Sequence, residues 1–95
     1  MLVYEKNSNS YEVNIFKALG HPIRLWIVKQ LEDEQEHCVC EFVEAVDVKF
    51  ATISQHLSIL KAAGIIRDEK RGKRVFYRLN CSCIFTALEC LVKKD

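Results

Sequence analysis

The 95-residue chain holds few residues that interrupt regular structure: one proline, Pro22, and three glycines, Gly20, Gly64 and Gly72. No repeat, flexible linker or low-complexity tract is visible. No stretch approaches the roughly 18 consecutive apolar residues of a membrane-spanning helix. The opening "MLVYEKNSNS" has no apolar signal region and no cleavage pattern. The expectation is therefore a cytoplasmic protein, in a compartment where thiols stay reduced. A Gly-rich phosphate loop, a carboxylate dyad and a Ser-His-Asp set are all missing. There is also no C-x-x-C beside a βαβ pattern, which argues against a small thiol oxidoreductase or any other enzyme.

Two further absences are local. Residues 1–37 contain no cysteine, and residues 30–47 contain no lysine or arginine. The acidic segment instead carries Glu32, Asp33, Glu34, Glu36, Glu41, Glu44 and Asp47. Residues 61–78 are the opposite, with Lys61, Arg67, Lys70, Arg71, Lys73, Arg74 and Arg78 against Asp68 and Glu69. The net charge of +1 conceals this segregation. A basic segment of this kind suits an anionic partner or a solvated hairpin, and charge alone does not choose between them.

What is present suffices for one core, because 49% of the residues are apolar. We expect a single domain over residues 1–95, with residues 1–10 polar enough to fray. "YEVNIFKALG" places Val13, Phe16 and Leu19 at helical spacing before Gly20. Pro22 suits the first turn of a second helix, apolar at Ile23, Trp26, Ile27 and Leu31. "CEFVEAV" reads as a short third helix. "ATISQHLSILKAAG" reads as a fourth, with Ile53, Leu57 and Leu60 inward and Gly64 as its stop. "IIRDEKRGKRVFYRL" changes to a period of two and reads as a hairpin turning at Gly72. Asn80 can cap a last helix that aligns Ile84, Leu88 and Leu91.

The expected fold is mainly α (α+β), in the order helix, helix, helix, helix, hairpin, helix. That is the order of a winged helix-turn-helix, whose second paired helix enters the major groove of double-stranded DNA while the hairpin follows the backbone. The candidate DNA-binding residues are Lys49, Thr52, Ser54, Gln55, His56 and Lys61 on the fourth helix, and Lys70, Arg71, Lys73 and Arg74 on the hairpin. Gln can bond adenine bidentately, Thr brings a hydroxyl and a methyl, and Lys, Arg and Ser reach phosphates. Standing alone, the fourth helix would pass for an ordinary amphipathic one. The basic hairpin that follows at once favours DNA.

"ALGHPIRLWIVKQL", "CVCEF", "ATISQHLSILKAAGII" and "KRGKRVFYRL" together resemble the ArsR/SmtB family of metal-responsive repressors, in consistent order from about residue 13 to residue 79. The resemblance implies a cytoplasmic homodimer that represses an operon and leaves operator DNA when it binds a toxic or surplus metal. It also implies dimer contacts through residues 11–19 and 81–93. One departure lies at the start of the fourth helix. Lys49-Phe50-Ala51 stands where the family often has Ser-Gln-Pro, so the usual Ser cap is missing and Asp47 is left to serve. No operator sequence carries over.

Five cysteines, Cys38, Cys40, Cys81, Cys83 and Cys90, are an odd number for a disulfide framework. A Cys38–Cys40 disulfide would close a small, strained ring. Within an ideal helix, residues two apart point about 200° apart and share no metal. The two thiols converge only if Cys38 precedes the helix or the first turn distorts. By resemblance, "CVC" here is the sensing box of arsenic/antimony or cadmium/lead repressors. It lacks their further cysteines, because Val43 occupies one position and the N-terminal arm has none. The candidate metal ligands are therefore Cys38 and Cys40, completed by Cys81 or Cys83. The first two favour a ligand role, while the second two read equally well as buried residues. Cys90 lies about 10.5 Å along the helix from Cys83 and cannot share an ion with it in one chain. Thiolates select thiophilic ions such as arsenite, cadmium, lead, zinc or copper(I). The zinc site of the last helix in zinc-sensing relatives is incomplete here and is not carried over. His37 beside the thiols reads either as a further ligand or, as is usual for a loop histidine, as a solvated residue, and His56 as a locally packed one. Two alternatives remain open. One is a redox- or persulfide-sensing repressor of the same fold. The other is a winged-helix module for protein interaction, for which Phe50 is the one supporting residue.

Overall fold

The computed structural model describes residues 1–4, 10–33, 35–80 and 83–92, with the side chains of Cys83, Phe85 and Val92 excepted. Helix α1 spans Tyr11–Leu19 and α2 spans Pro22–Gln30, followed by a 3₁₀ turn at Leu31–Asp33. Strand β1, His37–Cys38, leads directly into α3, Val39–Val46. Helix α4 spans Phe50–Ala62, strands β2 and β3 span Ile66–Arg71 and Arg74–Leu79, and α5 spans Cys83–Val92. The sheet is antiparallel with β3 in the middle, in the order β1-β3-β2.

The element boundaries follow from local chemistry. The Ser10 hydroxyl accepts the Val13 N–H at 3.2 Å and opens α1. The ring of His21 does the same for α2, its Nδ1 accepting the Ile23 N–H at 3.1 Å, with Pro22 in the first turn. Glu41 reaches back to accept the Cys38 N–H at 2.7 Å, half of a capping box at the start of α3. Asp47 does not cap α4. It ends α3 in the left-handed region at φ 56°, a conformation that Asp tolerates better than most residues. Lys49 precedes α4 in extended conformation and supplies no side-chain cap. Gly64 ends α4 at φ 80°, and a side chain there would also press on the Tyr11 ring at 3.2 Å.

The hairpin turns through Gly72 and Lys73, with Gly72 at φ 62°. Asn80 lies before α5, which begins at Cys83 after residues outside those described. The Asn80 amide donates to the Gly64 carbonyl at 3.2 Å, and its backbone N–H donates to Ile65. These bonds fasten the end of the wing to the end of α4.

Ile27, Val28 and Leu31, Phe42, and Ile53, Leu57 and Leu60 converge with Ile65, Ile66 and Leu79 in one core. Trp26 meets Phe42 edge-on with ring centroids 5.9 Å apart. The three inward residues of α4 have no exposed surface. Each such burial stabilises by about 1.5–3 kcal/mol, which outweighs any single surface contact of that helix and fixes its rotation.

A polar joint locks α1, α2 and α4 together. Arg24 donates from Nε to the Ala18 carbonyl at 2.6 Å and from Nη1 to His56 Nδ1 at 3.2 Å. The His21 and His56 rings lie 4.4 Å apart. A guanidinium donor requires a bare Nδ1, so His56 is neutral in this joint. Burial lowers its pKa, and the neighbouring His21 and Arg24 charges lower it further. A depressed folded-state pKa contributes stability that is present above the unfolded value, about 6.5, and is lost as pH falls through the folded value. Urea unfolding at about pH 7.5 and about pH 5 should show the parent losing more stability on acidification than His56→Gln. An equal or steeper acid loss in the variant would place the sensitivity elsewhere.

Candidate nucleic-acid interface and thiol site

With the core holding Ile53, Leu57 and Leu60, the 100° step per residue turns Ala51, Gln55, Ser58 and Ala62 outward. Gln55 and Ser58 are exposed, and Thr52 and Ser54 flank them half-buried. Ser58 was legible from the same angular count but is absent from the residues singled out by type and motif. Lys49 is exposed at the leading end of α4. His56 lies on the Arg24 side of the helix, engaged in the joint between helices.

The basic hairpin divides into two groups. Lys70, Lys73 and Arg74 are exposed along its length and around its turn. Arg71 is held between the carboxylates of Glu36 and Glu69 and lies over the Phe76 ring, 4.9 Å from its centroid. Glu36 also lies 3.9 Å from Arg78. Lys61 pairs with Asp68 at 3.0 Å and links α4 to β2. Exposed ion pairs of this kind contribute little, because solvent screens them. That is too little to keep Arg71 or Lys61 from a phosphate, so these pairs position the two side chains without withdrawing them.

The two thiols of "CVC" occupy different elements. Cys38 is the last residue of β1, extended at φ −78° and ψ 146°, whereas Cys40 lies in the first turn of α3. The helical rule that separates residues two apart therefore does not hold between them. The neighbouring Cys38 thiol is the largest influence on the Cys40 thiol and raises its pKa. Desolvation and the Cys38 and Glu41 charges add to this, while the Arg74 cation acts the other way. Cys38 is buried and Cys40 exposed, which gives the pair an inner and an outer sulfur.

His37 flanks the pair as part of a chain of hydrogen bonds. Its Nε2 is 2.8 Å from Asp33 Oδ2 and its Nδ1 is 3.1 Å from Glu41 Oε1. Partial burial pulls its pKa down, but the bonds to Glu41 and Asp33 together outweigh burial and hold it above the ordinary value. His37 is thus committed to the two carboxylates and is not the solvated loop residue expected from sequence.

Among the described residues, no group of three or more His, Cys, Asp or Glu is arranged to hold a metal. Two soft donors are together, and a third must come from elsewhere. Cys81 lies outside the described residues. Cys83 opens α5, and Cys90 is exposed further along that helix. No helix among the described residues is long and apolar enough to cross a membrane.

Comparison with known proteins agrees with this geometry. Residues 21–68 match the family described as bacterial regulatory protein, arsR family. The HTH-type transcriptional repressor SmtB of Mycobacterium tuberculosis (strain ATCC 25618 / H37Rv) is 48% identical over 65 residues, covering 68% of this chain and 47% of that protein. The arsenical resistance operon repressor of Escherichia coli (strain K12) is 41% identical over 68 residues, covering 72% and 58%. The chain thus spans about half the length of these curated relatives. Among solved structures, HlyU from Vibrio cholerae N16961 superposes with a TM-score of 0.79 at 30% identity, covering 94% of this chain and 98% of that one. The two curated relatives are repressors by name, and a further solved structure, from Mycobacterium bovis with a TM-score of 0.77 at 23% identity, is described as a homodimeric winged helix-turn-helix DNA-binding domain. With the match spanning both paired helices and the start of the wing, the chain belongs to the arsR family of bacterial regulatory proteins.

Proposed function

We propose that this protein is a transcriptional repressor that binds double-stranded operator DNA as a homodimer and leaves it when a thiophilic ion is captured at Cys38 and Cys40. The observation that carries this reading is the placement of the thiols. Cys38 pairs with Phe76 of the wing through the sheet, and Cys40 opens the helix that leads into α4. One ion bound to both sulfurs would therefore act on the two elements that would touch DNA.

The DNA surface in this reading is α4 through Lys49, Thr52, Ser54, Gln55 and Ser58, with the wing through Lys70, Lys73 and Arg74. Lys61 and Arg71 join it by exchanging a weak ion pair for a phosphate. Tyr11, Val13 and Phe16 on α1 and Leu91 on α5 are exposed in the single chain. A twofold dimer through these helices would cover them and present two α4 helices to a palindromic site. Arsenite, cadmium, lead and zinc fit the donor type, since thiolates favour them. The E. coli relative is by name an arsenical resistance repressor, which favours arsenite. Cys81 or Cys83 would complete the site, within the chain or across the dimer. Loading the ion displaces thiol protons, so binding should weaken as pH falls.

Two experiments test the parts separately. Replacing Lys73 and Arg74 with Ala should weaken binding to all duplexes alike and shallow the salt slope by roughly one unit per lost phosphate contact. Gln55→Ala should instead cost about 1–3 kcal/mol at one base position. A wing variant that changes base preference at an intact salt slope would contradict this division. For the thiols, Cys38→Ser and Cys40→Ser should bind DNA as the parent does and ignore arsenite or cadmium in a release assay. Release at the parent's ion concentration would remove the ion reading. Release by oxidant under chelation, with no response to ions, would establish the redox alternative in its place.

A further inference from the structure

Helix α4 opens with two exposed side chains that cannot hydrogen-bond. Phe50 is the first residue of the helix and is 58% exposed. Ala51 beside it is also exposed. One turn further on, Ile53 is fully buried, so the core ends before it reaches Phe50. A single exposed aromatic is unremarkable by itself. Its position is what matters, because the leading residues of a recognition helix are those that meet base edges. Phe and Ala offer neither donor nor acceptor. The apolar feature on base edges in the major groove is the C5-methyl of thymine, and Phe and Ala side chains are suited to touch it.

We propose that Phe50, with Ala51 beside it, reads a thymine methyl group in the major groove and so sets the base preference of the leading end of α4. This rests on the DNA-binding reading above. Gln55 lies five residues along the same helix, about 140° further round, and is suited to adenine, so the half-site would combine a methyl contact with a hydrogen-bonded purine. A glutamine at position 50 would read a base by hydrogen bonds instead. The departure from Ser-Gln-Pro thereby becomes a change in the chemistry of recognition and not a loss of it.

Uracil in place of thymine isolates the contact, since it keeps every hydrogen-bonding edge and lacks only the methyl. The probe is a duplex selected by the parent protein from a random pool and then remade with deoxyuridine for thymidine. The parent should bind the uracil duplex roughly fourfold more weakly per methyl withdrawn from Phe50, the value of one buried carbon. Phe50→Ala, too short to cover the methyl as Phe does, should lose roughly fourfold less than the parent on the same replacement, and Phe50→Leu should recover part of the difference. Position 50 is exposed, and matching thermal unfolding of parent and variants confirms that folding is untouched. If parent and Phe50→Ala respond alike to uracil, or neither responds, the proposal is overturned. That outcome leaves DNA binding standing as long as the parent still selects a duplex with a steep salt dependence. If the parent selects no duplex and shows no salt-dependent binding, both readings fall, and Phe50 belongs to a protein contact.

Discussion

Two backbone pairings, His37 with Tyr77 and Cys38 with Phe76, join the thiol segment to the wing. Without them the segment between α2 and α3 would be an acidic loop, and an event at Cys38 would have no direct route to the hairpin. With them, the inner sulfur sits on a strand that the wing itself holds in place. Side chains reinforce the attachment from one side of that strand, where Glu36 gathers Arg71 and Arg78. From the helix side, Glu41 fixes the Cys38 backbone while sharing His37 with Asp33. The individual polar contacts are weak. Their effect is geometric, since they hold two sulfurs from different elements at one corner of the sheet.

The rest of the molecule keeps α4 at a fixed angle to that corner. Its inner face is committed by complete burial, and its flank by the Arg24 and His56 joint. Its far end is tied to the wing through Asn80 and Gly64. A helix held at three places moves as a body when its N-terminal approach is strained. The short approach, from Asp47 in the left-handed region to Lys49 in extended conformation, is where such strain would enter. By linkage, an ion that favours the free form by about 3 kcal/mol would lower DNA affinity more than a hundredfold.

Much of this was legible in the sequence because the relevant signals are local and periodic. The apolar spacing of Ile53, Leu57 and Leu60, the stops at Gly20 and Gly64, and the turn at Gly72 identify their elements within a few residues. Strand β1 was not legible, because two residues carry no period and their partners lie more than thirty positions away. Asp47 and Asn80 were assigned as caps from residue type. Asp47 instead ends α3, and the amide of Asn80 ties the wing to Gly64, roles that tertiary geometry sets. The convergence of Cys38 and Cys40 could be stated only as a condition, that Cys38 precede the helix, and the fold meets that condition. Which basic residues pair with Glu36, Glu69 and Asp68 depends on strand register, so the sequence presented Arg71 and Lys61 as no different from Lys73.

Coupling between the thiol corner and DNA is the central claim, and reciprocity tests it without any mutation. The affinity of the reduced protein for cadmium is measured by thiolate absorption, once free and once saturated with a duplex the protein has selected. Linkage requires the duplex to weaken cadmium binding by the same factor by which cadmium weakens duplex binding. Equal factors, each on the order of a hundredfold, are the expected result. A cadmium affinity that the bound duplex leaves unchanged would show that the thiols and the DNA surface act independently.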